Sequence, residues 1–127
     1  MLETYELVNI ARSCQKFKKI SPSVSVGIVA AALVSDKGNI YTGICIEAPC
    51  GMGFCAEHSA IAEMLKKGES KIRKIVAVSS KTIVLPCGRC RELMRQIDKY
   101  NYENTEVIIK PDQSVLLSEL LPFPFEL

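Results

Sequence analysis

A chain of 127 residues with 48% apolar side chains has the material for one compact domain with its own core, expected over residues 1–127, and leaves no room for a second. A formal charge of +2 gives no footing for a polymeric nucleic-acid partner or for a membrane surface. The opening Met1-Leu2-Glu3-Thr4-Tyr5-Glu6 lacks the basic-then-apolar pattern of a secretory leader, and the apolar run Val26 to Val34 falls far short of the ~20 residues of a membrane helix; a soluble cytoplasmic protein is expected.

Taken in chain order, Leu2 to Lys18 carries apolar residues at helical spacing (Leu2, Tyr5, Leu7, Val8, Ile10, Ala11, Cys14 and Phe17). Lys16-Phe17-Lys18-Lys19, the densest basic patch, reads as the solvated end of that helix, which Ser21-Pro22-Ser23 breaks. Val26 to Val34 is rich in β-branched and small apolar residues and predicts a buried strand. Asp36-Lys37-Gly38-Asn39 predicts a turn, and Ile40 to Ile46 the returning strand of a hairpin. Ala48 to Gly53 is a loop. Cys55 to Lys67 predicts a helix stopped by Gly68, with Ala56, Ala60, Ile61, Met64 and Leu65 in its apolar pattern. A core strand follows at Lys74 to Ser79, then a helix from Cys87 to Tyr100 with Leu93, Met94 and Ile97 inward. Glu106 to Ile109 predicts another strand, and Val115-Leu116-Leu117 begins a last short element. The order α-β-β-α-β-α-β, with strands apolar on both faces, predicts an α/β fold: a mixed central sheet covered by helices on both sides.

Six cysteines in a reducing compartment are not paired by default, so metal binding or catalysis is the better reading. Two segments carry it, Cys55-Ala56-Glu57 and Pro86-Cys87-Gly88-Arg89-Cys90, each opening a helix. Backbone N–H groups at a helix start favour negative charge and therefore thiolates. Cys87 and Cys90, three apart on one helix, can share one ion, and Cys55 supplies a third ligand. Three protein ligands leave the fourth position of a tetrahedral Zn2+ free for water, the layout of a catalytic site. Glu57, two residues from a ligand, is the carboxylate placed to move protons. A Cys-x-Glu followed about thirty residues later by Pro-Cys-x-x-Cys is the cysteine form of the zinc-deaminase signature.

With those residues in view, the chain resembles the cytidine deaminase family, and within it the branch containing blasticidin-S deaminases. The matching residues are Gly43, Ile46-Glu47-Ala48, Cys55-Ala56-Glu57, Ala60-Ile61, the segment Pro86-Cys87-Gly88-Arg89-Cys90-Arg91-Glu92-Leu93, and Glu119-Leu120-Leu121-Pro122. The resemblance implies an αβα sandwich and a homotetramer with sites at subunit borders. It implies hydrolytic deamination at C4 of a cytosine nucleoside, with Glu57 protonating N3 and then the departing ammonia. The Ala56 backbone would bind the ring and Glu47 a sugar hydroxyl. The chain departs from the family pattern at Cys45, where Asn is usual. A second departure is at Gly27, near the place of an aromatic residue, and the loop from Glu47 to Cys55 is one residue shorter. These changes fall on the sugar and ring pocket, and point toward a modified cytosine nucleoside such as blasticidin S beside cytidine and deoxycytidine.

Other residues keep two readings. His58 is a satisfied, partly buried histidine or, as we prefer, a donor to a ligand sulfur. Arg89 and Arg91 do the same or are solvated. Cys14 and Cys45 fit apolar stripes as core thiols, although Cys45 also stands at the expected sugar pocket. Cys50 is a loop cysteine or lines the pocket. Phe123 and Phe125 read as core or interface packing. Against the enzyme stands a catalytically idle zinc-binding protein that senses a nucleoside; Glu57 favours the enzyme, since a protein without chemistry needs no carboxylate there.

Overall fold

The computed structural model describes residues 3–126. Leu2, the first residue of the expected N-terminal helix, lies outside them. Helix α1 (Thr4–Cys14) starts where the Glu6 carboxylate accepts the Glu3 N–H at 3.0 Å, and buries Leu7, Val8 and Ala11. It stops four residues before the expected Lys18. Gln15 turns extended and donates its side-chain amide to the carbonyls of Gly27 and Ile28, while the Lys16 N–H bonds the Gly27 carbonyl. The basic patch is therefore an exposed edge strand, β1 (Lys18–Lys19), and Phe17 faces solvent instead of a core. Tertiary partners offered by another strand outweigh local helix periodicity here.

Strand β2 (Ser25–Ser35) is the spine of the sheet. It pairs antiparallel with β1, with β3 (Ile40–Glu47) across the expected turn, and with β4 (Ile72–Val78). A two-residue strand, β5 (Ile83–Val84), pairs with the end of β4. β4 runs parallel to β6 (Glu106–Lys110), which pairs antiparallel with β7 (Gln113–Leu116). One parallel pairing among antiparallel ones makes the sheet mixed.

Successive strand residues point to opposite faces. Ala31 and Leu33 pack with Ile75 and Val107 against α2 (Ala56–Lys66), α3 (Gly88–Ile97) and α5 (Leu117–Leu120), through Ala60, Ile61, Met64, Met94 and Leu117. Ala32 and Val34 pack with Val76, Val78 and Ile108 against α1. The result is three layers, αβα, as the resemblance implied. At Gly43 a side chain would collide with the backbone of α2 at Ala56 and Ala60, which lets that helix lie directly on β3.

The expected helix from Cys87 to Tyr100 is two. Asp98 is extended between α3 and α4 (Tyr100–Asn104), and its carboxylate accepts the Ser70 hydroxyl at 2.7 Å and the Tyr100 N–H at 3.0 Å. Asn101, fully buried, takes the Ile72 N–H on its carbonyl and donates its amide to Ser70 and Met94 carbonyls. This polar knot ties the break to the start of β4. No helix among the described residues is long and apolar enough to cross a membrane.

Candidate metal and catalytic site

The cluster is assembled by two helix starts. Cys55 is the N-cap of α2 and Cys87 the N-cap of α3, both with extended backbone, and Cys90 sits in the first turn of α3. Phe54 and Ile46 exchange two backbone hydrogen bonds of 3.0 Å, so the loop after β3 returns to β3 before α2 begins and sets Cys55 beside that strand. Arg91 fixes the other approach: its guanidinium donates to the Pro86 carbonyl at 2.8 Å and the Leu120 carbonyl at 2.9 Å. Arg91 is thus neither solvated nor a donor to sulfur; it ties the segment before Cys87 to α5.

The three Sγ atoms lie within 4.8 Å of one another, with Cys55 and Cys87 3.4 Å apart. Cys90 is buried, Cys55 half-buried and Cys87 exposed. Burial opposes the Cys87 thiolate, yet the N–H groups of Cys90 and Arg89 and the neighbouring thiols outweigh it and hold its pKa below the ordinary thiol value. Burial, followed by the charges of Glu57 and the other two sulfurs, pushes the Cys90 thiol up. Burial, then Cys87, does the same to Cys55. Three thiolates so close repel one another unless a cation sits among them, and a coordinating metal deprotonates thiols outright. A soft, closely spaced three-sulfur set fits Zn2+.

Glu57 is in the first turn of α2 with 4% of its surface exposed, and burial raises its carboxyl pKa. It lines a cavity of about 370 Å³ that also receives Cys55, Cys87 and Ala56. Cys45 and Glu47, two apart on β3, present the same face of that strand to the cavity; Cys45 is buried, its sulfur accepting the Val29 N–H at 3.4 Å, and Glu47 is exposed. Arg89 is exposed and lines the cavity at the start of α3. His58 stacks on Phe54, ring centroids 5.2 Å apart, with Nδ1 buried and unpartnered; no hydrogen bond joins it to a ligand sulfur among the described residues. Cys50 is exposed in a turn with φ 61° and is not on the cavity wall, so it is a loop cysteine. Cys14 is half-buried at the end of α1. Phe123 and Phe125 are exposed and belong to no core.

Gly27 has a backbone reason. It is buried in an irregularity of β2 at φ 81°, with the Lys16 carbonyl where a Cβ would have to stand, so no side chain fits. Part of the cavity wall escaped the sequence reading altogether: Phe54, Val84 and Leu85. A two-residue strand and a lone aromatic before a ligand carry no periodicity by which to find them.

Residues 6–103 match the family described as the cytidine and deoxycytidylate deaminase zinc-binding region. The chain is 31% identical over 100 residues to a probable cytidine deaminase of Dictyostelium discoideum, covering 74% of this chain and 65% of that protein. It is 37% identical over 76 residues to a blasticidin-S deaminase of Bacillus cereus, covering 52% of this chain and 54% of that one. The match thus spans less than two thirds of either relative. The fold is that of the cytidine deaminase crystal structure from Mycobacterium tuberculosis, with TM-score 0.81 and 23% identity over 100% of both chains.

Proposed function

The chain belongs to the cytidine and deoxycytidylate deaminase family, and we propose that it hydrolyses the exocyclic amine of a cytosine nucleoside to give the uracil form and ammonia. One observation carries this: the Cys55–Cys87–Cys90 cluster and the buried Glu57 open onto one cavity of nucleoside size. Cys55, Cys87 and Cys90 would hold zinc. When bound, the metal would lower the pKa of a water from about 15.7 toward ~7 and so supply hydroxide at neutral pH.

The chain's own groups do the rest. Glu57 takes one proton from the water and passes it to N3; it then carries the proton of the new C4 hydroxyl to the amino group, so that the C4–N bond breaks, C4 becomes a carbonyl and ammonia leaves. The Ala56 N–H, one of the orphan donors of the first helical turn, bonds the ring. Glu47 binds a sugar hydroxyl, while Cys45 beside it offers sulfur in place of an amide and favours a sugar that needs no such partner. The substrate is cytidine, deoxycytidine or a modified cytosine nucleoside such as blasticidin S. Arg89 offsets the excess charge of the thiolates, and His58 supports the first turn of α2. The assembly is a homotetramer with sites at subunit borders, supported by exposed Ile28 and Leu85 at the cavity mouth. Six unpaired thiols suit the cytoplasm. A protein that only sensed nucleosides would have no use for a buried carboxylate on the cavity wall.

The test is metal analysis and ammonia release across cytidine, deoxycytidine and blasticidin S. About one zinc per chain and turnover of at least one of them is expected; zinc-loaded protein that releases ammonia from none sinks the reading.

A further inference from the structure

We infer that Phe54 is the wall on which the pyrimidine ring of the substrate stacks, an assignment that rests on the deaminase reading above. Phe54 is the one aromatic residue lining the cavity among the described residues, and it directly precedes the ligand Cys55. Its backbone cannot drift, because both its N–H and its carbonyl are bonded to Ile46 on β3. Its ring is backed by the His58 imidazole at 5.2 Å and 25°, close to parallel, which holds the side chain in one orientation. His58 keeps Nδ1 buried with no hydrogen-bond partner, so ring packing on Phe54 is what places it. Strand β2 cannot offer an aromatic at Gly27, where a positive φ and the Lys16 carbonyl exclude any side chain. The remaining wall, Ile28, Val29, Val84 and Leu85, is aliphatic. A flat π-face beside the metal ligands is the surface in this cavity suited to a planar base, whose stacking needs no hydrogen bond.

Phe54 then sets ground-state placement of the ring rather than the chemistry at C4. Phe54→Leu should raise KM for cytidine ~5- to 100-fold, the value of one base–aromatic stack, with kcat near wild type and zinc still at about one per chain. Phe54→Tyr keeps the π-face and should restore KM. With dihydrocytidine as substrate, whose saturated ring is not aromatic, the Phe54→Leu shift should be far smaller. Uridine affinity by calorimetry should fall in parallel with the loss on cytidine, and Phe54→Met supplies a second non-aromatic variant should the leucine chain fail to fold. Equal losses on cytidine and dihydrocytidine, or unchanged KM and uridine affinity, overturn the assignment. Wild-type protein that binds uridine but deaminates no cytosine nucleoside refutes the deaminase reading instead, and uridine affinity then decides the stacking by itself.

Discussion

Glu57 is two residues from Cys55 and buried in the first turn of α2, where burial disfavours its charged form and raises its pKa. Replacing it with Gln preserves shape but removes the ability to accept a proton. Glu57→Gln should retain zinc while ammonia release falls by about 10²–10⁴-fold, the usual weight of a general acid–base group. Near-normal turnover by that variant would assign the proton transfers elsewhere. A second buried carboxylate, Glu69, has no part in the chemistry. Its Oε2 accepts the Tyr41 hydroxyl at 2.5 Å and the Asn39 amide at 2.8 Å. The Tyr41 bond first, with the neighbouring polar Ser35 and Asn39, holds its pKa below the ordinary value. The bond to Glu69 and burial raise the Tyr41 hydroxyl to about 12. A lowered carboxyl pKa stabilises above the unfolded value of about 4.3 and is lost as pH falls through the folded one. A raised phenol stabilises below about 10 and is lost as pH rises through the folded value. The urea midpoint of Glu69→Gln should therefore fall less steeply than that of wild type on acidification, and that of Tyr41→Phe less steeply in strong alkali. Parallel curves would show that the pair contributes nothing to the pH dependence.

The break between α3 and α4 is the element-scale departure from the sequence reading. Cys87 to Tyr100 has continuous helical periodicity, and the local mark at Asp98 is slight, its carboxylate accepting the Tyr100 N–H two residues on. The stop is secured from outside the segment, by the Ser70 hydroxyl on Asp98 and by Asn101, which bonds Ser70 and Ile72 as well as the Met94 carbonyl of α3. The same knot seats α3, and so Cys87 and Cys90, against the sheet. Asn101→Ala leaves the Ile72 N–H and two carbonyls in a buried site without partners, each costing roughly 1–3 kcal/mol. A loss of several kcal/mol by urea denaturation is expected, with loosened zinc retention. A change under about 0.5 kcal/mol, the range of ordinary surface substitutions, would mean water replaces the side chain freely.

At the scale of the molecule, the three layers hold the two cysteine-bearing helix starts at one cavity but leave apolar surface uncovered. Phe123 is 93% exposed and Phe125 59%, at the end of a tail held by Arg95 and Glu92. Two large aromatics exposed this close together suit a surface shared between copies. Light scattering on the zinc-loaded protein should give close to four times the chain mass. A monodisperse monomer at tens of micromolar would refute the tetramer and leave the mouth of the cavity open to solvent.

What the sequence determined by itself is what rests on short spacing and residue chemistry. That Cys55, Cys87 and Cys90 come together, with Glu57 on the same cavity, was legible because three sulfurs sharing one ion beside a carboxylate need short, fixed offsets whatever surrounds them. The β2–β3 hairpin was legible because alternation and a turn signal are local. The tertiary structure decided the rest, because each outcome depends on a partner distant in the chain. Helix α1 ends at Cys14 since Gln15 and Lys16 find backbone partners on Gly27 and Ile28. Gly27 is fixed by a strand irregularity pressed against Lys16, and no local motif announces that. The wall formed by Phe54, Val84 and Leu85 exists only once Ile46 bonds Phe54 and β4 bonds β5, pairings that periodicity within one segment cannot encode.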